Sequence, residues 1–331
     1  MRFHLTGEQV AIQDAVRGTL ADVWPLERLH AFADGTADLD RPSWNALMGL
    51  GLAGTLLPES GMGLLEAALA CEVVGEAAGN GPLIGQMLAV WAVAQSDRAP
   101  RGLLDDLVSG ARIATLALGD SALVQAASSA DLFVAGSRDG AISLVERGDD
   151  VTVEEVVSTD RSRPISRVAL SGGKHSELLA PGDPNVARLF DAALVLVAAD
   201  ALGGAQKCTD LSVEYAKTRE QFGQPIGRFQ GLKHQLAHMA LDVEPARALV
   251  WYAAYAWDAG LADAPRSAAI AKAHLADVYV RATRAAIAAH GGIGYTWEYG
   301  LNYWFRRAIY DRAWLGSPPE HRARAAEMAG W

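Results

Sequence analysis

Cysteine is scarce in this chain of 331 residues. Cys71 and Cys208 lie far apart, and neither has a CxxC partner or a histidine at ligand spacing, so neither a disulfide framework nor a zinc site is indicated. Cytosolic thiols are the simplest account, which sets a cytoplasmic expectation. There is also no run rich in Lys or Arg, and the net charge is −10. Nucleic-acid binding rests mainly on neutralised phosphates, so that class of partner is excluded. No apolar run reaches bilayer length, and the N-terminus MRFHLTGEQVAIQDAV lacks the apolar core of a signal peptide. The longest apolar stretch, 192–199, is bounded by Asp191 and Asp200 and fits a buried helix better than a span. A membrane partner is therefore not expected.

Half of the residues are apolar, enough for one large core or two to three smaller ones. The patterning predicts a mainly α protein with a central β domain, in three parts. Residues 1–110 read as a helical domain: Thr6 as an N-cap, then Ile12, Val16 and Leu20 on one stripe, with further helices near 44–50 and 64–78. Turn clusters at 57–61 and 79–82 punctuate it. Residues 111–183 change to short strand-like runs at 113–118, 132–135, 141–145, 151–157 and 166–170, as in a small, shortened antiparallel domain. Residues 184–331 return to helical periodicity at 186–217, 229–259, 264–289 and 298–314, predicting a C-terminal four-helix bundle.

Two segments of that last part carry chemistry. Arg219 follows a helix-prone stretch and precedes Phe222-Gly223 and Pro225, so it belongs where a helix stops and a loop begins. A guanidinium there offers a planar fork of donors that matches phosphate oxygens, and Phe222 adds an apolar face for an adenine-like ring. Phe229-Gln230 then opens a helix whose first backbone N–H groups favour anions. The bland alternative is a helix hairpin with a surface Arg and a buried Phe. The second segment, His290-Gly-Gly-Ile-Gly, closes an alanine-rich helix, and its glycines imply a left-handed cap, which by itself needs no ligand. His234 and His238 share a helix face at i, i+4. Without a third ligand of the usual kind they read as an interface residue and a solvated one, so no metal is expected. Trp251, Tyr252, Tyr255 and Trp257 read as packing, and the mixed charges of 306–324 as a solvated helix.

With REQFGQPIGRFQ and HGGIGYT at those places, and LTGEQVAIQDAVR, LGLAGTLLPE and CEVVGEAAGNGPL earlier, nearly the whole chain resembles the acyl-CoA dehydrogenase family of flavoproteins. The resemblance implies FAD bound across a subunit interface. It also implies α,β-dehydrogenation of an acyl-CoA thioester, in which a carboxylate takes the α-proton while hydride passes to the flavin. By resemblance, Arg219, Gln221, Phe222, Phe229, Gln230, Gly291 and Gly292 hold the adenosine and pyrophosphate half of the cofactor. Ala288 stands where the family commonly has a Gln.

The rest of the family pattern is missing. The stretches matching the flavin-ring loops, 116–120 and 131–146, contain no Trp and no comparable Thr/Ser pair. Leu315 occupies the usual position of the catalytic Glu, and Ala193 and Leu194 occupy the alternative one. Asp191, Asp311 and Glu320 are the nearest substitute carboxylates, the first reading as a helix N-terminal acid and the others as solvated charges. No catalytic residue is therefore assigned. The chain resembles the short, non-catalytic subunit of the heterotetrameric acyl-CoA dehydrogenases that some actinobacteria use on steroid-derived thioesters. That implies an α2β2 assembly with a second subunit that brings the base. The alternatives are a self-sufficient dehydrogenase with a displaced carboxylate, or a non-enzymatic scaffold on the same fold.

Overall fold

A computed structural model describes residues 4–119 and 123–331. Six helices come first: α1 (Gly7–Val23), α2 (Leu26–Asp34), α3 (Arg41–Gly49), α4 (Leu64–Glu76), α5 (Leu83–Ala94) and α6 (Leu103–Val108). Thr6 caps α1 in a reciprocal box with Gln9, and Asp40 caps α3 by accepting from Ser43 N at 3.0 Å. The first amides of α4 have a distant cap: Leu64 N and Leu65 N donate to the Asp258 carboxylate at 2.7 and 3.1 Å. That bond ties the first part of the chain to the last.

Seven strands follow: β1 (Ala114–Leu118), β2 (Leu123–Gln125), β3 (Leu132–Gly136), β4 (Ile142–Glu146), β5 (Thr152–Val156), β6 (Ile165–Ala169) and β7 (Lys174–Leu179). They form two sheets, ordered β1-β3-β4-β7 and β2-β6-β5. Pairing is antiparallel as expected, except that β1 lies parallel to β3, with Leu116 beside Val134. Two strands escaped the sequence pattern. β2 is three residues long, and β7 begins with exposed, polar Lys174 and His175, so neither shows an apolar alternation long enough to read. Asp120, at the end of the expected flavin-ring loop, lies outside the described residues.

The remainder is α7 (Pro184–Thr218), a two-residue-stranded hairpin of β8 (Glu220–Gln221) and β9 (Gln224–Pro225), then α8 (Gln230–Asp258), α9 (Ala264–His290), α10 (Leu301–Ala313) and α11 (Pro318–Met328). The expected four helices have a fifth beside them. The turn 314–317 breaks the charged tail, and Ser317 starts α11 in a capping box with Glu320. α4 and α7 meet backbone to backbone, because a Cβ on Gly75 would land on the Asp200 carbonyl and one on Gly203 on the Glu72 carbonyl. A single apolar core runs from the first helices through β1, β3, β4 and β7 into the bundle, and a smaller one around Phe133, Val124 and Val168 fills the space between the sheets. Among the described residues, no helix is long and apolar enough to cross a membrane.

Candidate functional site

α7 ends at Thr218, and Arg219 is its C-cap, with its amide bonded to Tyr215 O at 2.8 Å. Its guanidinium is exposed and has no protein partner among the described residues. Ile226 N donates to Arg219 O at 2.8 Å and closes the β8–β9 hairpin. The two loop residues of that hairpin are Phe222 and Gly223, at φ 54° and 75°. Tight two-residue hairpins demand positive φ at both positions, which Gly supplies freely and an aromatic does not. Phe222 is also 90% exposed. A strained, solvated Phe at a loop tip is costly to hold there, and such outliers cluster at ligand clamps. Phe229 stands edge-on to it, with ring centroids 6.1 Å apart. Phe229 is also the N-cap residue of α8 and makes no side-chain cap, so the helix's first amides are left open beside exposed Gln230. Gln221 turns its amide nitrogen back to Glu220 O at 2.8 Å.

The Gly-Gly segment is held next to this hairpin by three aromatic rings. His290, the last residue of α9, stacks on Tyr215 at 4.4 Å, bonds Ala286 O through Nδ1 at 2.7 Å, and lies 2.8 Å from Tyr299 OH through Nε2. Tyr215 is one turn before Arg219, and His290 is adjacent to Gly291. The clamp therefore joins the two motifs at one end of the bundle. Tyr215 and Tyr299 were not singled out from the sequence; the spacing of Tyr215, four residues before Arg219 on one helix face, was the available signal. Gly291 has φ 63° and ψ −137°, so the expected left-handed cap is a different turn: φ is positive but ψ is far from the αL region, and a 3-10 turn over Gly291–Tyr295 follows. Apart from the adjoining residues, neither Gly291 nor Gly292 would bring a Cβ within 4 Å of any described atom. Ala288 is exposed on the same end of α9. His234 and His238 both lie exposed on α8.

About 19 residues back along α7, which at 1.5 Å rise is roughly 28 Å, the chemistry is the opposite. Asp200 accepts from Arg307 through Nε at 2.9 Å and Nη2 at 2.5 Å, and from Arg163 Nη2 at 2.5 Å. Arg163 also donates to Asp311, and Arg307 to Gly79 O at 2.9 Å. All four charged residues are at most 3% exposed. Burial pushes the Asp311 carboxyl up to about 7 against the pull of Arg163, while the two guanidinia hold Asp200 down to about 2 despite its burial. Asp311 Oδ2 meets no donor, nor do Asp160 Oδ2, Tyr279 OH and Tyr310 OH around it.

The two positions that the resemblance assigns to the family's base both flank this knot. Ala193 and Leu194 are fully buried about two turns before Asp200, and Leu315 follows Asp311 by four residues. The Leu315 turn is pinned: Lys272 Nζ donates to Asp311 O at 2.7 Å and Gly316 O at 3.4 Å, and His321 Nε2 lies 2.9 Å from Leu315 O. Two expectations fail here. Asp311 is buried rather than solvated, and Arg307 is buried with it, because a ridge of α10 packs inward against α7 and α9. Asp191 is no helix-end acid: it sits in the eighth position of α7, buried and paired with Arg138 at 3.0 Å and Arg324 at 2.8 Å. Glu320 is exposed as expected, capping α11.

The chain belongs to the acyl-CoA dehydrogenase family. The sequence pattern of the family's C-terminal domain matches residues 185–329. The chain is 34% identical to acyl-CoA dehydrogenase IpdE2 of Mycobacterium tuberculosis over 85% of its own length and 84% of that protein. The same level of identity to FadE34 of that organism covers 98% of this chain but 49% of the other. Among solved structures, it is similar to the Tcur3481-Tcur3483 steroid ACAD, with TM-score 0.86 and 26% identity over 98% of both chains. The ChsE4-ChsE5 complex of Mycobacterium tuberculosis shares the fold, with TM-score 0.88 and 24% identity over 100% of this chain and 99% of that one. Membership places the chain among oxidoreductases that act on acyl-CoA thioesters, with FAD as cofactor. The open glycine turn, the free guanidinium and the outward Phe222 fit the nucleotide end of that cofactor.

Proposed function

We propose that this chain is one subunit of a heteromeric FAD-dependent acyl-CoA dehydrogenase. It contributes the adenosine and pyrophosphate half-site, and a second family member, in an α2β2 assembly, contributes the flavin-ring pocket and the base. Arg219 meets the phosphates, aided by the open amides of α8 and the backbone of Gly291 and Gly292, and Phe222 with Phe229 covers the adenine. FAD, when bound, supplies the hydride acceptor. The observation that carries the reading is the pairing of an outward, unpartnered nucleotide clasp with a base position that holds Leu315 on a pinned turn. The steroid-derived nature of the thioester rests on the similarity to a protein described as a steroid ACAD.

One observation favours a second reading. Asp311, with its carboxyl pushed up to about 7, is poised as a general base would be and lies one turn from Leu315. Its full burial and its ion pair with Arg163 stand against that role. The chain is purified alone and after co-expression with a longer family member, and its visible spectrum and dehydrogenase activity are recorded. A colourless lone chain that gains FAD and activity with the partner is expected. A yellow, active homo-oligomer whose activity is lost in Asp311→Asn would establish the second reading instead, and a chain that never takes FAD would make it a scaffold.

A further inference from the structure

Beyond the Gly-Gly turn, α9, α10, Gly294-Tyr295 and Thr159 line a cleft of about 720 Å³, within the range of small-molecule sites. Its floor is apolar: Ile287 from α9, with Phe305 and Ile309 from α10. Ile309 is 42% exposed and Tyr295, on the wall, 77%. Two guanidinia stand at the edge. Arg284 lies one turn before Ile287, is exposed, and has no partner among the described residues. Arg306 donates to Thr159 O at 2.9 Å and stacks over Trp297 at 4.9 Å, with no carboxylate opposite it. No Asp or Glu lines the cleft, in a chain of net charge −10. Asn302, four residues before Arg306 on the same face of α10, donates to Thr296 O at 3.3 Å but leaves its buried Oδ1 without a donor. An apolar floor, two cations free of counter-charges and one orphan acceptor describe a receptor for a molecule with a hydrophobic body and a negative end.

We propose that this cleft binds an amphipathic anion, its apolar or ring-bearing body on Ile287, Phe305 and Ile309 and its phosphate or carboxylate between Arg284 and Arg306. The assignment does not rest on the nucleotide half-site, which uses different side chains. The probe is anilinonaphthalene sulfonate, titrated by fluorescence into the full chain, with ADP and decanoate as competitors. Saturable binding is expected, weakened about tenfold in Arg284→Glu, the loss of one charge-assisted bond, and similarly in Ile309→Glu. Arg101→Glu, which changes the net charge equally at a distant exposed site, should leave it unchanged; circular dichroism confirms that each variant is folded. Displacement by ADP would identify a phosphate ligand, and displacement by decanoate a carboxylate. ADP should still compete in Arg219→Ala; loss of competition there would assign it to the nucleotide turn and overturn a phosphate ligand here. Binding indifferent to Arg284→Glu, displacement by neither competitor, or loss of the probe on assembly with a partner subunit would overturn the proposal, the last by showing that a protein face covers the cleft.

Discussion

At the 219–222 hairpin and the 291–292 turn, Arg219 and Phe222 face outward; the guanidinium has no partner among the described residues and the Phe222 ring meets that of Phe229 edge-on. Around Asp200 the guanidinia and carboxylates are locked into one another inside the protein. One region is strained and open, since Phe222 sits at φ 54° and is 90% exposed. The other ties the β domain through Arg163, α7 through Asp200 and α10 through Arg307 into one block. A group left open at some cost in strain is there for something outside the chain, whereas a closed network answers to the fold. The difference separates groups turned toward solvent from groups that answer to the fold.

The sharpest way to break this division is at its closed side. Arg307→Ala leaves Asp200 buried with one of its three donors and frees Gly79 O, so a loss of about 3–5 kcal/mol in unfolding free energy is expected, read by urea denaturation. If the variant unfolds within 1 kcal/mol or so of the parent, the knot is not what holds the three parts together. Leu315→Glu examines the same side from another direction. It restores a carboxylate at the family's base position, yet the turn stays pinned by Lys272 and His321, and the lone chain is expected to remain inactive. Measurable dehydrogenation by that variant would mean that a single side chain is all that silences it.

Asp311 lets the closed side be read by pH. Its folded pKa of about 7 lies above the ordinary carboxylate value of 3.8, so the folded state binds the extra proton. Its contribution to stability is complete below about pH 4 and is lost as the pH rises through 7. Asp200 runs the other way: its contribution is present above about pH 4 and is lost only toward pH 2. Asp311→Asn should therefore flatten the stability profile between pH 4 and 7 and leave the acid limb intact. An unchanged slope over that window would show that Asp311 is ionised in the folded protein.

Legibility in the sequence follows the same divide. The open turns could be placed because their signals are local: a helix stop, a Phe-Gly loop and a glycine pair, each tied to backbone conformation within a few residues. The long helices α7, α8 and α9 were legible for the same reason, their apolar spacing running over many turns. The knot was not, because Arg163, Asp200, Arg307 and Asp311 come from three separate stretches and meet only through tertiary packing. Arg307 and Asp311 lie amid so many charges in 306–324 that the stretch resembles a solvated face. Asp200 was visible only as the end of an apolar run. The β8–β9 hairpin is too short to leave a pattern of its own.

The open side makes the next demand. If Arg219 meets the pyrophosphate as proposed, Arg219→Ala removes one charge-assisted contact, and FAD affinity of the assembled enzyme is expected to fall by about 1.5–3 kcal/mol, or roughly 10- to 150-fold. The change is followed by fluorescence titration of FAD into the apo complex. The melting temperature of the lone chain should not move, because the guanidinium has no partner to lose among the described residues. A stability loss without an affinity loss would move Arg219 from the nucleotide to the fold.

The smallest effect on the fold is expected at Gly292, and it bears most directly on what the turn is for. Gly291 has a reason within the chain, its φ of 63°, which a side chain would strain. Gly292 has none: its φ is not positive, and a Cβ there would meet no described atom within 4 Å apart from the adjoining residues. Gly292→Ala should therefore leave stability unchanged or raise it by a few tenths of a kcal/mol through lost freedom in the unfolded chain. If the glycine serves close approach of the pyrophosphate to the backbone, the added methyl pushes that group away, and FAD affinity falls by at least about tenfold, some 1.4 kcal/mol. An alanine variant that binds FAD as tightly as the parent would mean that the cofactor does not touch this turn.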